Sequence, residues 1–300
     1  MFITLSIICA LFLYNEKQKR PDMAFEPRIK LYLSLEDQVI DLGLEEYLLG
    51  TVAAEMPASF GLEALKAQAV CARTYALRKI IEGRTYPRGA QLSDDINSCQ
   101  AYISFKDFAA RNPSNYKALW SKIETAVQDT KGIIMTYDNQ PIDALYHSTC
   151  GGKTESALHS TGQDVPYLQS VPCSYCRSSR YYESKQVFSS QELKNLLKIA
   201  PAEKKLSLKV TSRTATGRVS RLEVNGKTLY AETFRKLLSL PSTWWNISLK
   251  DNSLIVNSRG YGHGLGLCQY GAGGMAADNK SYLQILHHYY QKTEVYRLPY

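Results

Sequence analysis

Three hundred residues, 44% hydrophobic and 21% charged, make a folded chain with room for a substantial core and exclude an intrinsically disordered one. A formal charge of +8 and a pI of about 9.0 suit a polyanionic partner, whether nucleic acid, an anionic membrane face or anionic cell wall. Nucleic acid fits least, because the chain has no dense Lys/Arg run and no zinc-finger or RNA-binding signature.

Met1 to Tyr14 carry no charged side chain, and the polar run Asn15–Arg20 follows. As a helix this stretch would be about 21 Å long, short of the roughly 30 Å hydrocarbon core. It reads as a signal-like segment or a trimmed membrane anchor, followed by a Pro-containing tether to Pro27. Lys17, Lys19 and Arg20 lie after it, the wrong side for a chain whose body is exported, and a start upstream of Met1 would repair that. Beyond the tether, Ile29, Leu31, Leu33 and Leu35 alternate with polar residues as in a half-buried strand. A turn at Glu36-Asp37 and the run to Leu42 predict a hairpin.

Leu44, Tyr47, Leu48, Thr51 and Val52 recur at helical spacing and predict a helix over Leu44–Glu55, which Pro57 stops. A second helix is predicted from Leu62 to about Glu82, with Gly61 as N-cap and an alanine-rich middle that lets other backbone approach closely. Thr85–Tyr116 is polar and irregular, an inserted loop region. Ile123–Thr130 reads as helix, Gly132–Thr136 as the start of a strand, Lys205–Tyr230 as short strands with a turn at Asn225-Gly226, and Ser281–Tyr290 as a closing helix. Strands and helices in segregated order give an α+β class: mixed, mainly antiparallel strands around a central Ala-rich helix.

Glu55 lies on the apolar stripe of its helix, whereas Glu45 and Glu46 fall off it and read as solvated. An inward carboxylate in the last helical turn is disfavoured as an anion by burial and by the helix dipole, which is what a general acid needs. The competing reading turns Glu55 to solvent or pairs it with Arg73. Tyr146-His-Ser-Thr-Cys-Gly-Gly is a tight loop that can bring backbone amides to a ligand, and His147 is either a binding group or a hydrogen-bonded structural one. Arg259-Gly-Tyr-Gly-His-Gly-Leu-Gly-Leu-Cys-Gln-Tyr-Gly-Ala272 leaves Tyr261, His263, Gln269 and Tyr270 to point outward from a wall of backbone. It fails the dinucleotide fingerprint at Leu267, and a Gly-rich hairpin without a ligand remains the alternative.

Cys173-Ser-Tyr-Cys176 has the spacing of half a zinc site, with Cys150, His147 and His159 upstream. Three cysteines and one histidine would complete a structural zinc site. A disulfide competes, since an exported chain meets oxidising conditions, but a disulfide within that pair leaves Cys150 unexplained. Cys9, Cys71, Cys99 and Cys268 read as buried or incidental thiols.

Taken together, Thr51-Val-Ala-Ala-Glu-Met-Pro-Ala-Ser-Phe60, Glu63-Ala-Leu-Lys-Ala-Gln-Ala-Val-Cys-Ala-Arg-Thr-Tyr-Ala76, Tyr146-His-Ser-Thr with its Gly pair, and Gly262-His-Gly-Leu-Gly-Leu-Cys-Gln-Tyr-Gly-Ala272 resemble, in that order, the stage II sporulation protein D family. The resemblance spans about Arg28 to Leu298. It implies a lytic transglycosylase of spore engulfment, with an anchor and tether over 1–27 and one peptidoglycan-cleaving domain over 28–300. It further implies a membrane-anchored protein facing the intermembrane space of the developing spore.

On that resemblance Glu55 is the catalytic acid/base. Arg73, Tyr75, His147, Ser148, Tyr261, His263, Gln269 and Tyr270 line the substrate cleft. The implied partners are peptidoglycan strands stripped of stem peptides, a cell-wall amidase/endopeptidase and a membrane scaffold. Many members have Ser where this chain has Cys150, and most lack the Cys173/Cys176 pair, though zinc-binding members occur among clostridial types. Because the Tyr-His-Ser-Thr motif recurs in members without the cysteines, His159 rather than His147 is the expected fourth ligand beside Cys150, Cys173 and Cys176. Relatives that only enhance an amidase offer the alternative function. A zinc hydrolase ranks last, since no HExxH-like pattern is present.

Overall fold

The predicted hairpin forms in a computed structural model, which describes residues 25–199, 206–250 and 253–300. The expected anchor or signal-like segment, Met1–Tyr14, lies outside the described residues. Among the described residues no helix is long and apolar enough to cross a membrane. Contacts divide the chain into two compact units, one running to Leu145 and taking in Met275–Tyr300, the other Tyr146–Gly274.

In the first unit, β1 (Arg28–Leu33) pairs antiparallel with β2 (Gln38–Gly43), from Arg28 opposite Gly43 to Leu33 opposite Gln38. The period-2 alternation buries Ile29 and Leu31 and leaves Arg28 and Lys30 exposed. The chain passes directly from β2 into α1 (Leu44–Glu55), whose predicted stripe of Leu44, Tyr47, Leu48, Thr51 and Val52 is all buried. The helix ends because Met56 is extended ahead of Pro57. Next comes α2 (Leu62–Ile81), capped by extended Gly61; it buries Ala64, Ala67, Ala69, Ala72 and Ala76. The small side chains let neighbouring elements pack close to its axis.

The segment read as an irregular insertion contains β3 (Leu92–Ser93), parallel to β1, and a short helix, α3 (Phe105–Arg111). Ser104 caps that helix by accepting the Asp107 amide. α4 (Tyr116–Asp129) starts about two turns earlier than the sequence indicated. It leads into β4 (Ile133–Tyr137) and β5 (Gln140–Pro141).

The second unit opens with β6 (Tyr146–His147) and α5 (Ala157–Thr161). There follow β7 (Glu183–Ser189) and α6 (Ser190–Leu196), the latter started by a capping box between Ser189 and Glu192. β8 (Leu208–Arg213), β9 (Val219–Val224) and β10 (Lys227–Tyr230) form an antiparallel meander, with positive φ at Asn225 and Gly226 making the predicted two-residue turn. After α7 (Ala231–Leu237), β11 (Trp245–Lys250) and β12 (Ser253–Arg259) complete a sheet of order β11-β12-β7. Trp245, Phe234, Leu222, Leu254, Val256 and Leu193 fill the core between these layers. The Gly-rich segment supplies β13 (Leu267–Cys268), parallel to β6 with Cys268 opposite His147, and runs into α8 (Gln269–Ala277).

The chain then returns to the first unit. α9 (Tyr282–Tyr289) packs on α2, and β14 (Glu294–Arg297) pairs antiparallel with β4. With α1, α4 and β4 also against it, α2 is the central Ala-rich helix of an α+β fold.

Candidate functional site

Glu55 ends α1 half-buried, and its Oε1 accepts the backbone amide of Ala101 at 2.7 Å. That amide arrives from the stretch just before α3, and Gly50 lets it come close. A Cβ on Gly50 would stand 2.3 Å from the Tyr102 ring and 2.6 Å from the Ile103 carbonyl. The neighbouring Gln100 side chain donates to the Tyr47 hydroxyl at 2.9 Å, and the Tyr47 and Tyr102 rings stack with centroids 6.1 Å apart. The Tyr47 phenol is held well above its ordinary pKa, chiefly by burial, with Cys99 and then Glu55 adding smaller pushes the same way. Glu55 is thus a carboxylate held by a backbone amide and close to the buried Tyr47 phenol.

Arg73, expected to line the substrate cleft, lies in the interior of the first unit. Its side chain is fully buried, donating Nε and Nη2 to the two carboxylate oxygens of Glu45 at 2.9 and 2.5 Å and Nη1 to the Ile133 carbonyl at 3.0 Å. Glu45, expected in solvent, also accepts the Gly132 amide at 3.2 Å and the Tyr300 hydroxyl at 2.6 Å. The helical stripe could not reveal this, because its partners come from α2, the start of β4 and the C-terminus. The carboxylate paired with Arg73 is that of Glu45. Tyr75, also on α2, is half-buried, with the Lys79 ammonium 4.9 Å from its ring centroid.

The other expected binding residues lie in the second unit. Thr149 and Tyr261 exchange backbone hydrogen bonds of 3.1 and 2.7 Å, and the Tyr270 amide donates to the Ser148 carbonyl at 3.0 Å. The two motifs are thereby laid side by side. Gly262, at φ 109°, permits it: a Cβ there would lie 2.8 Å from the Cβ of His147. His147 is buried, its Nδ1 donates to the Leu265 carbonyl at 3.0 Å, and its Nε2 has no hydrogen-bond partner. Burial, then the neighbouring His263, hold its pKa well below the usual imidazole value, so it is neutral with Nε2 as acceptor.

His263 is exposed, donates Nε2 to the Tyr146 carbonyl at 2.9 Å, and accepts the Leu265 amide on Nδ1 at 3.0 Å. Tyr261 is also exposed and lies against Tyr181, centroids 4.4 Å apart. Gln269, expected to point outward, is buried, and Tyr270 is half-buried. The entry into α8 turns both toward the protein.

The cysteines cluster with a different fourth residue from the one expected. The Sγ atoms of Cys150, Cys173, Cys176 and Cys268 all lie within 4.8 Å of one another and are buried. His159 is elsewhere: its Nδ1 is 3.0 Å from the Ser156 hydroxyl and 3.4 Å from Glu155 Oε1. Cys268, read as an incidental thiol, takes the fourth place because β13 pairs with β6 and brings the Gly-rich segment beside Cys150.

Sequence reasoning assigned no role to Glu155, which closes the Tyr-His-Ser-Thr segment. It is buried, and its Oε2 accepts the hydroxyls of Thr214 and Thr216, each at 2.6 Å. With His159, Arg218, Tyr230 and His263 it lines a cavity of about 780 Å³ in the second unit. Its sequence signal is a carboxylate that closes the stretch Gly151-Gly-Lys-Thr-Glu155.

The family model for the stage II sporulation protein matches residues 34–137. The chain is 36% identical over 269 residues to stage II sporulation protein D of Bacillus subtilis, covering 89% of this chain and 78% of that protein. It is 35% identical over 268 residues to stage II sporulation protein D of Bacillus amyloliquefaciens, with the same shares, 89% and 78%, covered. An amidase enhancer of Bacillus subtilis is 28% identical over 301 residues, covering 82% of this chain and 40% of that protein. This chain belongs to the stage II sporulation protein D family.

Proposed function

We propose that the chain is a lytic transglycosylase that cleaves the bond between N-acetylmuramic acid and N-acetylglucosamine in peptidoglycan during spore engulfment, with Glu55 as its single acid/base. The observation that carries this reading is the placement of Glu55. It is a carboxyl group at the end of α1, oriented by the Ala101 amide and close to the buried Tyr47 phenol, while Arg73 is paired with Glu45. Membership of the family supports the sporulation setting, and the +8 charge suits an anionic wall polymer.

The reaction needs one carboxyl group. Protonated Glu55 gives its proton to the glycosidic oxygen as the C1–O bond breaks. The resulting carboxylate takes the proton of the muramic acid C6 hydroxyl as that oxygen bonds to C1. Glu55 is regenerated and a 1,6-anhydro end is left, with no water consumed. A hydrolytic glycosidase would require a second carboxylate at the same bond. In the second unit, Tyr261 and His263 present an aromatic face and an imidazole suited to sugar binding. The substrate is expected to be glycan stripped of stem peptides. The protein is expected to work anchored on the outer side of a membrane, beside an amidase/endopeptidase and a membrane scaffold.

The test incubates the chain with denuded glycan strands and examines the ends by mass spectrometry. Anhydro ends from the wild type and none from Glu55→Gln support the reading. The same yield from Glu55→Gln would sink it. The similarity to an amidase enhancer favours a second reading, a glycan-binding activator that cuts nothing. That reading requires strand binding without anhydro product, and full stimulation of an amidase by Glu55→Gln.

A further inference from the structure

The cavity of about 780 Å³ that Glu155 lines is built from residues of the second unit alone. Glu55 belongs to the first unit, so acid/base chemistry at Glu55 leaves this cavity without a role. Its volume falls in the range of roughly 300–1,000 Å³ typical of small-ligand sites.

Period-2 alternation makes one wall. In the meander Val210, Leu222 and Leu229 turn to the core, so the cross-strand pair Arg221 and Tyr230 stands on the opposite face and lines the cavity. Tyr230 is 64% exposed, with the Arg221 guanidinium 5.3 Å from its ring centroid. Glu155 and α5 make the other wall. The Glu155 carboxylate accepts the Ser156 amide at 2.9 Å as well as the Thr214 and Thr216 hydroxyls. His159 turns Nδ1 toward Ser156 Oγ, 3.0 Å away, and toward Glu155 Oε1. Its Nε2 has no hydrogen-bond partner among the described residues and is the edge left for a ligand.

Much of the remaining lining is hydroxyl, from Ser160, Thr161, Ser212, Ser220 and Thr243. Arg218 and Arg221 stand against Glu155 and Glu232, so the formal charges in the lining cancel. An apolar ligand would strand the hydroxyl groups, and a polyanion or polycation would meet like charges. A ligand with hydroxyl groups on its edge, apolar C–H on its face and no charge satisfies every wall at once. That is the chemistry of a sugar ring.

We propose that this cavity is a saccharide-binding site for uncharged N-acetylhexosamine units, with Tyr230 as the stacking face and His159 Nε2 and Arg221 as hydrogen-bonding groups. That the sugars are those of a peptidoglycan strand rests on the function proposed above. The site adds affinity for the strand without touching the bond that is cut.

The probe is chitotetraose, an uncharged oligomer of N-acetylglucosamine, titrated by calorimetry into the full chain carrying Glu55→Gln so that nothing is cleaved. Binding is expected, weakened about tenfold by Tyr230→Ala and kept within about twofold by Tyr230→Phe, which retains the ring. His159→Ala, on a different element, is expected to weaken it as well. Tyr230 and His159 are both exposed, and unfolding curves check that each variant folds. No binding of chitotetraose, or binding at parental affinity in Tyr230→Ala, would overturn the proposal. Absence of anhydro ends in the cleavage assay would sink the acid/base role of Glu55 and leave this binding intact. Binding independent of Tyr230 would sink this site and leave the cleavage assay unaffected.

Discussion

In the first unit, Glu55 sits at the end of a twelve-residue helix whose buried stripe rests on α2, and the surrounding helices are locked by the Arg73–Glu45 pair. In the second, His147 and Cys268 lie on strands of two residues each, held by isolated backbone bridges and by four converging sulfurs. One region fixes the carboxylate proposed as acid/base by side-chain packing on regular elements. The other positions its polar groups with glycine-enabled backbone contacts and cysteine, because segments so rich in glycine bury little side chain against one another. Rigidity around Glu55 therefore depends on the apolar core and one buried ion pair, while rigidity around His147 depends on local cross-links.

The largest effect that could break this contrast is expected at Arg73. Arg73→Met leaves the Glu45 carboxylate half-buried without its cation and should cost about 3–5 kcal/mol, read by urea unfolding. A cost below about 1 kcal/mol, the range of an exposed pair, would contradict a buried lock.

The paired glycine variants sharpen the same comparison. Gly50→Ala drives a methyl into Tyr102 and Ile103, and should cost about 1–3 kcal/mol while shifting the amide that orients Glu55. Activity should then fall more than binding to glycan. Gly262→Ala crowds His147 and adds the strain of a φ of 109°, a further ~1–3 kcal/mol, so it should be the more destabilising of the two. Its measured effect should be on glycan binding first.

The smallest effect concerns Cys71 on α2, whose thiol is pushed up to about 12 by burial, against which the hydrogen bond to Tyr290 pulls weakly. An unfolded thiol titrates near 8.5, so the folded state binds the proton more tightly. The stability this gives is full below pH ~8.5 and is lost as pH rises toward 12. Cys71→Ala should flatten that part of the stability–pH curve, and wild-type Cys71 should resist alkylation at pH 9. Rapid alkylation of the native protein would contradict its burial.

What could be read in advance was what depends on neighbours in sequence. The stripe of α1, the length of α2, the β1–β2 hairpin and the Asn225-Gly226 turn are local patterns, and each formed where its spacing indicated. α3 was missed although Ser104 and Asp107 spell its cap, because the polar residues around them hid a single buried position, Phe108. Glu45 was misjudged because its partners come from three other elements. Cys268 was passed over for His159 because the β6–β13 pairing joins residues more than a hundred positions apart. Glu155 is buried by hydroxyl groups of Thr214 and Thr216, a setting that carries no hydrophobic signature.

The most direct test of the central claim compares wild type and Glu55→Gln on denuded glycan strands, after unfolding curves confirm that both fold equally well. The account predicts 1,6-anhydro ends from the wild type, none from Glu55→Gln, and glycan binding retained by both. Anhydro ends at wild-type yield from Glu55→Gln, or reducing ends in place of anhydro ends from the wild type, would contradict it.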